Sequence, residues 1–118
     1  MSARVTIYGI KACDTMKKAR DWLAAHAVSY EFHDYKAQGA DRTKLEDWCG
    51  SVGWETFLNR SGTTFRRLED ADRQGLTEAK AIDLMLAQPS MIKRPVLETG
   101  DGPPLVGFKP DAYAARFG

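Results

Sequence analysis

A mixed α/β fold is predicted by three features of the sequence. A β-branched and aromatic run, Val5, Ile7 and Tyr8, breaks at Gly9 and gives way to helical periodicity from Cys13. A second run, at residues 29–33, alternates apolar and polar side chains, and two further short runs stand at 95–98 and 105–108. Between these two pairs, residues 41–88 carry helical stripes and no convincing strand.

Each element has a local cause. In the helix after Gly9, Met16, Ala19, Trp22 and Leu23 share one face, while Lys17, Lys18 and Asp21 take the other. Tyr30 and Phe32 alternate with Glu31 and His33, so one face of the second strand is expected to be buried. Strand, helix and strand of this length make a βαβ unit with a right-handed crossover and parallel strands. Asp34, Tyr35 and Lys36 end it, and Gly39 marks a loop. Asp41 is suited to cap a helix whose stripe is Leu45, Trp48, Cys49 and Val52, and Gly53 stops that helix. Short helical pieces are expected at 54–58 and 63–68, separated by the loop Asn59-Arg60-Ser61-Gly62. Thr77 caps a clearer helix with Ala79, Ile82, Met85 and Leu86 on its apolar face, ended by Gln88 and Pro89. Gly100-Asp101-Gly102 reads as a tight turn between antiparallel strands, and Pro110 fits the first position of a last helix. The order βαβ, helices, ββα is that of a thioredoxin-like (glutaredoxin-like) core, a mixed four-stranded sheet with a helical insertion between its two halves. One domain, 1–118, is expected, with about 1–36 and 91–118 forming the core and about 41–90 the insertion.

The 118 residues suffice for one domain with a real core, and the net charge of +1 gives no global field toward nucleic acid or an anionic membrane. Arg4 is the only charged residue before the first strand, there is no apolar leader region, and no run approaches the roughly 20 apolar residues of a membrane span. A cytoplasmic location is therefore expected, where structural disulfides are rare. Two cysteines, Cys13 and Cys49, make neither a disulfide framework nor a zinc site, and no metal is expected. The modest charge and ordinary apolar content lean toward a monomer.

The chemistry centres on Cys13, which sits where a strand ends and a helix begins. There the unpaired N–H groups of the first turn and the positive end of the helix dipole favour an anion. The thiolate is the reactive form, and such a position can lower a thiol pKa from about 8.5 to roughly 3.5–7.5. Lys11 adds positive charge nearby, Asp14 opposes it, and the Thr15 hydroxyl is placed to donate to the sulfur. Met16 stands where a CxxC motif has its second cysteine, so Cys13 is a monothiol whose oxidised adduct must be cleared by an external thiol such as glutathione or a glutaredoxin. Cys49 lies inside an apolar stripe and is expected to be core. Arg60, Arg94 and Lys109 stand at loop and strand ends expected to surround Cys13. The Arg94–Pro95 bond falls where thioredoxin-like folds place a cis peptide opposite the cysteine, presenting backbone polar groups to the site. Lys17, Lys18, Arg66 and Arg67 read as solvated faces, and His26 and His33 as structural.

Four stretches carry a family resemblance: Tyr8 to Ala19, Leu58 to Arg66, Met91 to Val96, and Leu105 to Pro110. Together they span essentially the whole chain. In that order the chain resembles the glutaredoxin-coupled arsenate reductase (ArsC)/Spx family, most closely its YffB-like branch. The resemblance implies a thioredoxin-like fold and a nucleophile at Cys13. In family arsenate reductases that cysteine forms an adduct with arsenic, glutathione and glutaredoxin regenerate it, and three arginines hold the oxyanion. Arg60 and Arg94 match two of these arginines. Lys109 stands at the third, keeping the charge but losing the bidentate fork. Cys-Asp-Thr-Met also replaces the Cys-Gly-Thr-Ser of arsenate reductases and puts a carboxylate beside the anion site, which weighs against arsenate. The resemblance to the YffB-like branch implies a glutathione-dependent thiol reductase, with Lys11, Thr15, Arg60, Arg94, Pro95 and Lys109 forming the substrate or glutathione site. Arsenate reduction coupled to glutathione and glutaredoxin is the alternative within that class. An Spx-like regulatory module binding RNA polymerase is the alternative outside it, although the CxxC switch typical of Spx is absent.

Overall fold

The first strand, β1 (Thr6–Gly9), is central in the sheet because it is hydrogen-bonded along both edges. A computed structural model of the chain describes residues 5–11, 13–60, 62–100 and 102–117. Helix α1 (Asp14–Ala25) follows β1 and leads to β2 (Glu31–Asp34) and a single turn, α2 (Tyr35–Gln38). A helical series comes next: α3 (Arg42–Val52), α4 (Trp54–Phe57), α5 (Thr63–Arg66), α6 (Asp70–Arg73), α7 (Glu78–Ala87) and a 3-10 turn, Pro89–Met91. Strands β3 (Val96–Glu98) and β4 (Leu105–Val106) and helix α8 (Pro110–Phe117) complete the chain. The strand order is β2-β1-β3-β4, with β1 parallel to β2 and the other pairs antiparallel. This is the mixed four-stranded sheet of a thioredoxin-like fold, as the order of sequence signals predicts. The chain divides into two compact units, Met1–Gln38 with Arg94–Gly118, and Gly39–Lys93.

In the sheet-bearing unit, one face of β1 and β3 meets the apolar stripe of α1 and the buried ring of α8. Val5, Ile7, Met16, Ala19, Leu23, Leu97 and Tyr113 form that core, with Cys13, Trp22, Phe32, Leu105, Phe108 and others packed against it. Tyr113 is fully buried, held edge-on by Trp22 (5.5 Å) and Phe108 (5.0 Å), yet its hydroxyl has no hydrogen-bond partner among the described residues. On the other face Tyr8 donates to Glu98 Oε1 (3.0 Å) and lies beside the rings of His33 (4.9 Å) and Tyr35 (6.2 Å). Burial, and then the neighbouring Tyr8 and Glu98, push the Tyr35 phenol up.

In the helical unit, Trp48 of α3 stacks on Phe57 of α4 (5.6 Å), and Arg42 pairs with Asp83 of α7 (2.5 Å). Asp41 and Thr77 cap α3 and α7 as expected, accepting from Lys44 N–H (3.0 Å) and Lys80 N–H (3.2 Å). An antiparallel bridge of Leu58 with Ile92 joins the ends of this series. Asn59 N–H donates to Met91 O and Lys93 N–H to Phe57 O, both at 2.7 Å.

Several elements differ from the sequence expectation for identifiable reasons. Residues 35–38 form a helical turn rather than a loop: Asp34 Oδ1 accepts from Lys36 N–H (2.9 Å) and Gln38 Oε1 accepts from Asp34 N–H (3.2 Å), a reciprocal cap. On α7 the buried positions are Ala81, Ile82 and Met85, while Ala79 is exposed. With alanines at both 79 and 81 ahead of Ile82, the periodicity alone left the face ambiguous. Helix α6 has no apolar stripe to announce it, since none of its residues is buried. Strand β4 stops after two residues because Gly107 takes a positive φ of 78°. The expected tight turn before it is longer, since Pro103 and Pro104 have no N–H to give to a ladder; Asp101 lies outside the described residues. Arg116 of α8 ties that connection down, donating to Thr99 Oγ1 (2.7 Å) and Pro103 O (2.9 Å).

Helix α1 ends in a Schellman motif built without glycine. Val28 N–H donates to Leu23 O (2.9 Å) and Ala27 N–H to Ala24 O (3.1 Å), with Ala27 at φ 57°. Ala27→Gly is expected to stabilise the protein by about 0.5–1 kcal/mol, since the left-handed penalty outweighs the entropy glycine adds to the unfolded chain. Tyr113→Phe removes an unmet buried hydroxyl while keeping both ring contacts, and is expected to gain about 1 kcal/mol. Urea midpoints at unchanged m-value check both.

Candidate active site around Cys13

The strand directions bring the sequence-predicted residues of the sheet-bearing unit to one end of the sheet. Strand β1 runs toward Gly9, and Cys13 follows four residues later. Strand β3 is antiparallel to β1, with Tyr8 opposite Val96, so Arg94 and Pro95 enter the sheet at the end where β1 leaves it. Strand β4 is antiparallel to β3, with Val96 opposite Val106, so Lys109 follows from the same end. The Arg94–Pro95 peptide is cis, as the sequence position predicts. Pro95 is buried, Arg94 is half-buried, and Lys11 and Lys109 are exposed. Gly107, read from sequence as a strand residue, donates its N–H to Pro95 O (2.8 Å) and so fixes the last strand against the cis peptide. A glycine directly after the short apolar run was its only signal.

Cys13 is the N-cap residue of α1, extended at φ −147° and ψ 123°, and its carbonyl accepts from Lys17 N–H (3.0 Å). Its own N–H donates to Lys11 O (2.9 Å), closing a tight turn ahead of the helix. The sulfur makes no cap hydrogen bond, so the N–H groups of the first turn are left for an incoming anion or for the thiolate. Asp14 is exposed and Thr15 half-buried in that first turn. The side chain of Cys13 is half-buried, with one side against the apolar core. Met16 is fully buried at the place of a second thiol. Lys17 is paired with Asp21 (2.7 Å), as befits a solvated face.

Arg60 belongs to the helical unit, where it is exposed with its guanidinium 5.9 Å from the Trp54 ring. Cys49 is buried in the same unit, and burial followed by the charge of Glu78 pushes its thiol up to about 11. His26 stacks on Trp22 (3.8 Å) and bonds Trp22 O (2.8 Å), in keeping with a structural role. Among the described residues no cluster of His, Cys, Asp or Glu has the makings of a metal site, and no helix is long and apolar enough to cross a membrane.

Known proteins resemble this chain in sequence and fold. The sequence pattern of the ArsC family matches residues 8–116. An uncharacterised protein of Haemophilus influenzae is 38% identical over 113 residues, covering 96% of this chain and 98% of its own. Among solved structures, the YFFB protein superposes with a TM-score of 0.91 at 68% identity, covering 94% of this chain and 96% of that one. An arsenate reductase (ArsC) related protein of Brucella melitensis gives 0.76 at 57% identity, covering 99% and 97%.

The two cysteines differ enough to be told apart in solution. A thiol at about 11 is thiolate to only about one part in a thousand at pH 8. Iodoacetamide at pH 8 is therefore expected to label Cys13 about tenfold or more faster than Cys49, the difference vanishing in denaturant. Because its folded value lies above the ordinary thiol value of 9.0, Cys49 supports folding fully below pH 9 and loses that support as pH rises toward 11. Peptide-resolved mass spectrometry reads the labelling.

Proposed function

Since the chain belongs to the ArsC family, we propose that it is a cytosolic monothiol reductase that uses Cys13 as nucleophile and glutathione as its electron source. The observation that carries this reading is the placing of Cys13: the uncapped N-terminus of α1 receives its sulfur, and a buried methionine occupies the site of a resolving thiol. The only other cysteine is buried, with its thiol held protonated. An adduct on Cys13 is then released by a thiol from outside.

The chemistry balances as two exchanges. The Cys13 thiolate attacks the glutathionyl sulfur of a mixed disulfide, the substrate thiolate leaves with the electron pair of the S–S bond, and a Cys13–glutathione disulfide forms. A second glutathione thiolate attacks that adduct, releasing glutathione disulfide and restoring the Cys13 thiolate. The first-turn N–H groups, Lys11 and the Thr15 hydroxyl stabilise the sulfur anion in each half. Arg94 and Lys109 pair with glutathione carboxylates, and the backbone at Arg94 and Pro95 offers polar groups to its peptide. Arsenate would use the same nucleophile. Asp14 beside the anion site and the lysine at Lys109 favour the disulfide substrate.

Turnover of a glutathione mixed disulfide and of arsenate, each with glutathione and glutaredoxin supplied, tests the proposal. Cys13→Ser is expected to abolish turnover and to raise stability by about 0.5–1 kcal/mol, because a serine oxygen caps the helix that sulfur leaves open. Arg94→Ala is expected to raise KM for glutathione about tenfold with kcat little changed. Turnover that survives Cys13→Ser overturns the assignment of Cys13 as nucleophile. RNA polymerase binding without any turnover, equally unaffected by that substitution, would establish the regulatory alternative instead.

A further inference from the structure

We propose that Gly9 and Met16 are positioning residues for Cys13, a plug and socket that set where the sulfur stands; the inference rests on the reading of Cys13 as a reactive thiol. Gly9 ends β1 without a positive φ, so no unusual backbone conformation calls for glycine there. Space does. A Cβ on Gly9 would stand 2.2 Å from Met16 Sδ, 2.8 Å from its Cε and 3.2 Å from its Cγ. Carbon and sulfur do not approach so closely without repulsion, so either the thioether or the strand end must move.

Neither is free to move. Met16 is fully buried within the same core as Ile7, Ala19 and Leu23. Gly9 is buried and held in register opposite Asp34 of β2. The contact spans the stretch that carries the nucleophile: residue 9 is the last of the strand and residue 16 lies in the first turn of α1, with Cys13 between them. The approach of thioether to bare Cα thereby sets the distance from strand end to helix start. The turn from Lys11 O to Cys13 N–H and the extended cap conformation of Cys13 are closed across that distance. Met16 thus does more than vacate a second thiol position: its sulfur seats the strand end, and glycine at 9 is the complement it needs.

Cys13 alkylation as a function of pH, resolved by peptide mass spectrometry, tests this on wild type, Gly9→Ala, Met16→Leu, Met16→Ala and the double variant Gly9→Ala/Met16→Ala, with thermal melts alongside. Gly9→Ala is expected to slow Cys13 alkylation at pH 7 about fivefold or more and to displace its pH profile, while the double variant recovers to within about twofold of wild type. Met16→Leu, close in volume, is expected to keep the profile. Should Gly9→Ala fail to fold, Met16→Ala alone, with Gly9 intact, must still displace the profile. A folded Gly9→Ala with an unchanged profile, or a double variant no better than the single one, overturns the inference, since a merely structural contact lowers the melting temperature without moving the titration. If Cys13 in the wild type reacts as an ordinary thiol at every pH, the reductase reading falls, and the positioning claim is still decided by the ratio of variant to wild-type rates.

Discussion

The pairing of β1 on both of its edges is the constraint from which the rest of the sheet-bearing unit follows. Parallel to β2 through Thr6, Ile7, Tyr8 and Gly9, and antiparallel to β3 through Thr6, Ile7 and Tyr8, it has no free edge along which to slip. A one-residue shift would carry Ile7 out of the core and turn Tyr8 into it. Helix α1 is then pressed on the same core through Met16, Ala19 and Leu23, all fully buried. The loop between strand and helix carries Cys13, but its two ends are held by buried elements. The sulfur is placed by the core rather than by the loop's own preferences.

What stands at that helix start is best judged against the other two long helices of the chain. Asp41 and Thr77 each give an oxygen to a first-turn N–H, which is what an isolated helix end needs for stability. Cys13 occupies the equivalent place on α1 and gives nothing. Sulfur is a weak acceptor, so the helix forgoes a cap and leaves its N–H groups and dipole directed at the thiol or at what binds beside it. The same geometry that costs the helix a hydrogen bond leaves room for an anion at its start. Lys11 lies on the solvent side of this end, and Asp14, also exposed, partly offsets it.

The parts of the structure legible in the sequence are those whose cause is local. The caps at Asp41 and Thr77, the stop at Gly53, the start at Pro110 and the stripe of α1 each depend on a few neighbouring residues, and each stands where the sequence puts it. The Cys13 position was legible for the same reason: β-branched residues, a glycine and then a helical period locate it without reference to the rest of the chain. The features that escaped depend on distant partners or lack the residue that usually announces them. The Leu58–Ile92 bridge joins residues more than thirty positions apart, and the Schellman turn at Ala27 has no glycine to announce it. Strand β4 is ended by the positive φ of Gly107, and Ala81 takes the place of Ala79 on α7 through packing that periodicity alone does not resolve. At the site, Arg94, Pro95 and Lys109 share the Cys13 end only because β3 and β4 each reverse direction. That follows from strand pairing, which the sequence implies, and from register, which it does not state.

A single thiol imposes its own logic on such a site. Disulfide exchange requires the attacking sulfur, the central sulfur and the leaving sulfur to lie roughly in line, and which sulfur is attacked decides whether turnover proceeds or the adduct is merely passed back. A resolving cysteine one turn along the helix would attack from within. Here that direction is filled by the thioether of Met16, and the remaining thiol, Cys49, is kept protonated by burial. Cys13 is also covered on one side by the apolar core and open on the other. On the proposed reading an adduct on it is met from the open side; Lys11 and Lys109 are exposed near the same sheet end. Two positive charges at that end would attract an anionic thiol. If Cys13 is the nucleophile, half-burial of the sulfur would serve specificity as well as access, by narrowing the approach along which charge can select.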